Sequence, residues 1–384
     1  MIKSFKTEIN PTCEQKIIID RNIGICRFAY NFYISYNKEL HEAGEKIVGA
    51  KEFKHWLLND YLSMHPECVW IKEASSKSLT KSIDNAAITF MRYINGYIDF
   101  PKYKKKGIND AKMYFVKTNP NDCLVERHRI KIPTLDWVKI KEKGYIPTSK
   151  SGCVIKSGTV SCVDDRYYVS VIAYLPDDRL QPRCTDGIGI DLGLLNFAVV
   201  SNGITYPNIN KSYRLIKLQR QIERAQKSLS RKYENLKKGG TTQRKNIQKQ
   251  KFRIHKLHHK INDIRNDYLN KVIADVVKDK PSYITVEDLN VKGMAKNKYL
   301  SAAVSSQKLY TFRTKLKKKC KELNIELRIA DKWFPSSRMC HNCGRINNDL
   351  KLEDREFSCS CGYHNDRDLN ASLNLRDTIN YVIA

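Results

Sequence analysis

The sequence predicts a multidomain α+β chain: a β-rich part interrupted by helices, then an α/β part that carries a cysteine-rich insertion. Three observations point there. An alternating run at 1–9 (MIKSFKTEI) gives way to helical periodicity out to about Tyr97, and short alternating runs resume beyond residue 107. Two apolar runs, GIGID and SYITVE, each close on an acid, Asp191 and Glu287, with a long polar helical stretch between them. Four of the twelve cysteines, Cys340, Cys343, Cys359 and Cys361, fall within 22 positions, shortly before a third acid, Asp368.

Taken in order, Thr12 followed by Gln15 has the form of a capping box, so a helix should start just after Pro11. Polar turns near 45–49 and Pro66 break the helical region. Its aromatic run RFAYNFYISYNKEL (Phe28, Tyr30, Phe32, Tyr33, Tyr36) suits helix packing, with stacking on bases as the alternative. FPKYKKK at 100–106 marks a change of character. The runs KMYFVKT, CLVERHRIKIP, WVKIKEK and GTVSCVDDRYYVSVIAYLP then read as a small antiparallel barrel or sandwich, which the first strand would join. Leu180-Gln181-Pro182 has the composition of a linker. Beyond Asp191 a hairpin turns at Asn202-Gly203. A polar helical region spans 211–280, broken at Gly239-Gly240. It is followed by a strand at 283–287, a helix near 306–323, a strand at 326–330, the cysteine segment and a last helix from about Leu369.

With 384 residues, 41% of them hydrophobic, the chain has enough apolar material for two or three folded domains. Its formal net charge of +28 implies a polyanionic partner, because neutralising phosphates releases counterions. Residues 211–280 alone hold 21 Lys and Arg against 6 Asp and Glu, more than half of the excess. A solvated helical face normally mixes both signs. This region is therefore expected to face nucleic-acid backbone, with Arg220, Arg224, Lys227, Arg231 and Lys232 as contact residues, joined by Lys102, Lys104, Lys105 and Lys106. An anionic membrane is the rival partner, but the chain has no lipidation motif, no apolar run near the roughly 18 residues of a span, and no signal-like start. A cytoplasmic protein is expected. Cys13, Cys26, Cys68, Cys123, Cys153, Cys162, Cys184 and Cys320 show no pairing rhythm and read as reduced thiols.

An acid at the end of one apolar strand could simply cap it. Three on separate elements of an α/β core are what phosphodiester hydrolysis by two Mg²⁺ needs, one ion activating water and the other stabilising the leaving oxygen. A hairpin whose first strand ends on Asp191 also suits an RNase H-like sheet. The cysteines, C-x2-C then C-x-C after 15 residues, suit one structural Zn²⁺. The shortened second pair leaves His364 or His341 open as a substitute ligand. Gly344 and Gly362, placed after Cys343 and Cys361 as in zinc knuckles, favour the four thiolates.

PTCEQ, CRFAYNFY, FPKYKKK, GIDLGLLNFAVVSNG, RAQKSLSRKYENLKK, EDLNVKGM, DKWFPSSRMCHNCG and CGYHNDRDLNAS, in this order, resemble the TnpB (OrfB) proteins of bacterial insertion sequences, relatives of the type V CRISPR effectors. The resemblance implies an RNA-guided DNA endonuclease. It implies a wedge-type β-barrel (1–10 and 98–181) with an inserted helical recognition region (11–97). It further implies an RNase H-like (RuvC) nuclease domain (182–334 and 366–384) with a zinc-ribbon insertion (335–365). Asp191, Glu287 and Asp368 fall on the family's catalytic carboxylates and the cysteine quartet on its zinc site. A guide RNA would supply specificity, and double-stranded target DNA with a short flanking motif would be the substrate. Two other classes share the scaffold: a transposase acting directly on transposon ends, and a nuclease-dead DNA-binding regulator, which should lack a carboxylate.

Overall fold

The computed structural model describes residues 2–107, 109–119, 121–176, 186–241, 243–351 and 353–384. The expected linker at 180–182 and Cys184 lie outside them. The chain divides into two compact units, Met1–Asp177 and Asp178–Ala384.

In the first unit, strand β1 (Ile2–Asn10) alternates as its sequence does, burying Phe5, Thr7 and Ile9. Helix α1 (Cys13–Glu42) starts at the expected capping box: the Gln15 N–H donates to Thr12 Oγ1 at 3.3 Å and the Thr12 N–H to Gln15 Oε1 at 3.0 Å. The Gln15 amide also donates to the Leu135 and Trp137 carbonyls at 2.8 and 3.1 Å, pinning the helix start to a strand far along the chain. Two short helices, α2 (Ala50–Trp56) and α3 (Leu62–Met64), lead to α4 (Ser76–Ile94), which packs on α1. The aromatic run of α1 is core: Tyr30 and Tyr33 are buried, and Phe28, Phe32 and Tyr36 meet Trp70, Phe53 and Trp56 edge-on or tilted.

Strands β2 (Met113–Val116), β3 (Arg129–Ile132), β4 (Asp136–Ile140), β5 (Val154–Val163) and β6 (Arg166–Tyr174) join β1 in one antiparallel sheet, ordered β2-β5-β6-β1-β4-β3. The small barrel or sandwich expected there is this single sheet. Side chains from both end strands, Met113 and Phe115 from one and Ile130 and Ile132 from the other, enter one apolar cluster, which Ile19 and Ile23 of α1 cover.

In the second unit, β7 (Ile188–Leu192), β8 (Asn196–Val200) and β9 (Thr205–Pro207) form an antiparallel meander, with the turn after β8 at the predicted Asn202-Gly203. Helices α5 (Tyr213–Lys237) and α6 (Arg244–Val276) follow, parted by Gly239 at φ 75°. Next come β10 (Tyr283–Glu287), the helices α7 (Val291–Lys296), α8 (Ser301–Gln307) and α9 (Leu309–Leu323), and β11 (Glu326–Ala330). The cysteine segment contains β12 (Glu356–Ser358) and β13 (His364–Asp366); α10 (Arg367–Asp377) and β14 (Tyr381–Ile383) close the chain. The sheet order is β14-β11-β10-β7-β8-β9, with β10 parallel to both β7 and β11.

Period-2 alternation gives this sheet two different faces. Ile190, Leu192, Ile284, Val286 and Leu327 point to a core shared with α6 and α9. Gly189, Asp191, Thr285, Glu287 and Ala330 therefore share the other face. There α10 lies against β7 so closely that a Cβ on Gly189 would stand 2.0 Å from the Ser372 carbonyl oxygen and 2.4 Å from the Arg376 nitrogen. Among the described residues no helix is long and apolar enough to cross a membrane.

Candidate active site

Asp191 and Glu287 owe their proximity to register. Ile190 pairs with Val286 on adjacent parallel strands, so the next residues, both acids, stand side by side at the strands' C-terminal ends. Asp368 comes from the first turn of α10. Asp366 caps that helix, its Oδ1 accepting from the Asp368 and Leu369 N–H groups at 2.9 Å each. All three acids are half-buried, and each has its pKa raised from its ordinary value, Asp191 most strongly. For Asp191 the causes are burial, then the charges of Glu287 and Asp368. For Glu287 they are burial and Asp368, opposed by a hydrogen bond from Ser336. For Asp368 they are burial and Asp366, opposed by Arg355, Arg367 and Asn196. Asp191, Glu287 and Asp368 thus lie near enough for their charges to be felt at one another, and carboxylates are the donor type that suits hard divalent cations; among the described residues the one group whose ligand atoms are already gathered for a single ion is the cysteine quartet.

Glu287 opens on a cleft of about 350 Å³ whose wall includes Asp331, Lys332, Ser336, Arg338 and Arg367. Ser336, itself buried, donates its Oγ–H to Glu287 Oε1. Two buried asparagines one turn apart on α10 hold that loop. Asn374 donates to the Ser336 and Met339 carbonyls at 2.8 and 2.6 Å, and Asn370 donates to the Met339 carbonyl at 2.8 Å while accepting from the His341 N–H at 3.1 Å. Sequence inspection passed over Ser336, Asn370 and Asn374. The asparagines carried a signal, since amides at i and i+4 on the buried face of a helix are costly unless they bind something buried; no local pattern marks Ser336.

The four cysteine sulfurs lie within 4.8 Å of one another. Cys340 Sγ is 3.7 Å from Cys361 Sγ, and Cys343 Sγ is 3.6 Å from Cys359 Sγ. A tetrahedral ion with metal–sulfur bonds of about 2.3 Å requires sulfur spacings of about 3.8 Å, so the quartet fits one. Each pair sits on a tight turn closed by a glycine at positive φ, Gly344 at 72° and Gly362 at 87°. The Tyr363 N–H pulls the Cys361 thiol down to about 6 and the Cys361 N–H lowers Cys359, whereas burial pushes Cys340 up to about 12. His364 faces Glu356, at 3.3 Å, and His341 lies 3.7 Å from Asp377; neither joins the sulfur cluster.

The basic residues are dispersed. Arg220, Arg224, Lys227 and Arg231 are exposed on α5 and Lys232 is half-buried, while Leu215, Leu218 and Ile222 turn toward α6. In the first unit Lys102, Lys105 and Lys106 are exposed, whereas Lys104 sits over the Tyr30 ring at 4.9 Å and its backbone is held by the Asn31 amide.

Family profiles match the chain in three places: an OrfB helix-turn-helix domain at 1–46, an OrfB profile described as "Probable transposase" at 171–298, and a "Cas12f1-like, TNB domain" at 310–375. An Escherichia coli (strain K12) protein named "Putative RNA-guided DNA endonuclease InsQ" is 29% identical over 298 residues, 77% of this chain and 68% of that protein. A Streptomyces pristinaespiralis protein named "Putative RNA-guided DNA endonuclease" is 26% identical over 349 residues, 88% of this chain and 79% of the other. Among solved structures, the chain in a "Cas12f1-sgRNA-target DNA complex" superposes with a TM-score of 0.60 at 12% identity, covering 98% of this chain and 99% of that one, a likeness of fold. These profiles match the chain at its start, middle and end, and the chain is similar to the TnpB (OrfB) family along its length.

Proposed function

We propose that this chain is an RNA-guided DNA endonuclease that cuts target DNA at the single site formed by Asp191, Glu287 and Asp368. The observation that carries the proposal is the convergence of three carboxylates, from two parallel strands and the first turn of a helix, at one end of a sheet in a chain of net charge +28. The relatives' names and the fold of the Cas12f1 complex support guide RNA and double-stranded DNA as partners. In this proposal the second unit is an RNase H-like (RuvC) domain, 182–334 and 366–384, with a zinc ribbon at 335–365. The first is a wedge-type barrel, 1–10 and 98–181, with a helical recognition insertion at 11–97. The strand order of the second unit, an antiparallel meander with two further strands parallel to its first, supports the RNase H-like assignment.

Two Mg²⁺ held by Asp191, Glu287 and Asp368 would activate water and stabilise the leaving 3′ oxygen. The protein's own part is to position. Ser336 engages one oxygen of Glu287 and so orients its carboxylate. Asp366 caps α10 and fixes Asp368. Arg338 and Arg367 in the cleft wall offer positive charge to an incoming phosphate. Zinc on the four thiolates would hold the segment between β11 and α10. Exposed lysines and arginines of α5 and of 102–106 would contact sugar-phosphate backbone without reading sequence.

The test is to sequence the RNA that copurifies, reprogramme its guide segment, and assay Mg²⁺-dependent cleavage of matched and unmatched duplexes. Single Asp191→Ala, Glu287→Ala and Asp368→Ala variants should bind matched DNA and fail to cut it. Cutting of transposon ends without RNA would replace this function with direct transposition.

A further inference from the structure

We propose that Arg265, Lys308 and Lys315 form a seat for the backbone phosphates of a nucleic-acid strand, linked through Asn210 and Gln307 to the turn that follows Asp191. The site lies between α6 and the α8–α9 junction. Lys308 donates to Asn262 Oδ1 and, at 2.9 Å, to Asn266 Oδ1; Lys315 donates to Asn270 Oδ1 at 2.7 Å. Arg265, on the same helix as the three asparagines, donates from Nε to Asn210 Oδ1 at 2.7 Å.

All three cations are half-buried, yet their partners are neutral amides. Among the described residues none of them is in an ion pair. Asp263 is near enough to Lys308 to be felt, but Arg265 and Lys315 act on it in the opposite sense; Asp267 is engaged by Lys271 at 2.7 Å. Burial lowers the proton affinity of all three. Partly desolvated charges in folded proteins are normally paired with opposite charge. Here like charges gather around neutral asparagines, an arrangement that lacks an anion. A cleft of about 350 Å³ whose lining includes Asn210, Gln219, Arg220, Glu223 and Arg265 opens on the Arg265 side of the cluster; the two lysines lie outside its lining.

The connection to the carboxylates runs through side-chain amides. Asn210 donates to Gln307 Oε1 at 3.3 Å, and buried Gln307 donates to the Gly193 and Leu194 carbonyls, also at 3.3 Å. Gly193 and Leu194 begin the turn directly after β7, which carries Asp191. A strand seated on Arg265 is thus two amides away from the backbone that aims this carboxylate. The inference rests on the proposed function only in taking nucleic acid as the anion.

The experiment measures affinity against salt for the intact chain on two probes, a labelled single-stranded RNA and a duplex DNA of mixed sequence. Lys308→Met/Lys315→Met should bind about tenfold more weakly, with a salt slope shallower by about 1.5–2. Loss on the RNA alone assigns the seat to guide backbone, and loss on the duplex alone to target backbone. Lys308→Arg/Lys315→Arg keeps the charges and should bind like the wild type. Asn262→Ala/Asn266→Ala removes the amide partners and spares the cations, so it should lower the melting temperature and leave binding intact. Unchanged affinity and slope for the methionine variant on both probes would overturn the seat, as would equal losses in the methionine and asparagine variants; the cluster would then be a clamp between helices. Both probes are read without guided cleavage, so a chain that binds them through these lysines but cannot be programmed to cut refutes the proposed function and leaves the seat standing.

Discussion

Replacing Asp191 by Asn should abolish cleavage and at the same time stabilise the metal-free protein. Asp191 and Glu287 stand at matching positions of neighbouring parallel strands, which run about 4.8 Å apart. Two like charges at about 5 Å repel by about 3 kcal/mol at an effective dielectric of about 20, and partial exposure reduces that. Asn keeps the size of Asp and removes the charge, so a gain of about 1–3 kcal/mol is expected, each kcal/mol raising the melting temperature by about 2–4 °C in a unit of this size. The pH dependence has a definite sign. Asp191 has a folded-state pKa raised by burial and by its acidic neighbours, so the folded state holds its proton more tightly than the unfolded chain does. Wild-type stability then falls as pH rises from about 3.9 through the raised folded value, and the advantage of the Asn variant grows over the same window. Mg²⁺ should reverse the order by stabilising the wild type through binding. The assay is thermal unfolding of both proteins from pH 4 to 8, in chelator and in Mg²⁺. A variant less stable than wild type in chelator at neutral pH, or an offset that persists on acidification, would refute the electrostatic argument.

Four further outcomes are expected. Zinc should be present at one atom per chain, lost in Cys340→Ser and Cys361→Ser together with stability, and retained in His364→Ala; metal analysis beside thermal unfolding checks all three. Ser336→Ala should slow cleavage by about 10–100-fold and shift the acid limb of the pH–rate profile upward, because the lost hydrogen bond had been lowering Glu287. Asn374→Ala, which strands the buried Ser336 carbonyl and leaves the Met339 carbonyl to Asn370 alone, should cost about 1–3 kcal/mol in denaturant titration. Gly189→Ala has no room for its methyl group beneath α10; a loss at the upper end of about 1–3 kcal/mol should accompany loss of cleavage, since Asp368 moves with the helix.

Local signals in the sequence carried most of the elements. Thr12 and Gln15 marked the start of α1, alternation gave β1 and the strands after residue 107, and apolar runs ending on acids gave β7 and β10. Signals that depend on tertiary context were not legible. β14 is three residues long and exists because β11 offers an unpaired edge. The break between α8 and α9 falls at Lys308, a non-glycine residue at φ 55° that no propensity would single out. The acids were visible as strand ends, but their pairing is a matter of register between β7 and β10, which no local pattern encodes. Ser336 is similar: its role appears only when Asn374, 38 residues later, is seen holding its loop.

The cysteine segment joins two points that α10 fixes in space, the Ser336 loop and the first turn that bears Asp368. Were the roughly thirty intervening residues a free coil, bringing their ends together would cost about 3 kcal/mol of chain entropy, a term that grows only with the logarithm of length. Thiolates gathered on two tight turns shorten the effective loop to the stretches between those turns and α10. Chain added at 348–349, between the two turns, lies outside both closures and short of the Lys351, Asp354 and Arg355 carbonyls to which Arg367 donates. That stretch should therefore accept insertions of quite different lengths with little effect on cutting, whereas a single residue added between Ser336 and Cys340 would shift the Glu287 partner out of reach.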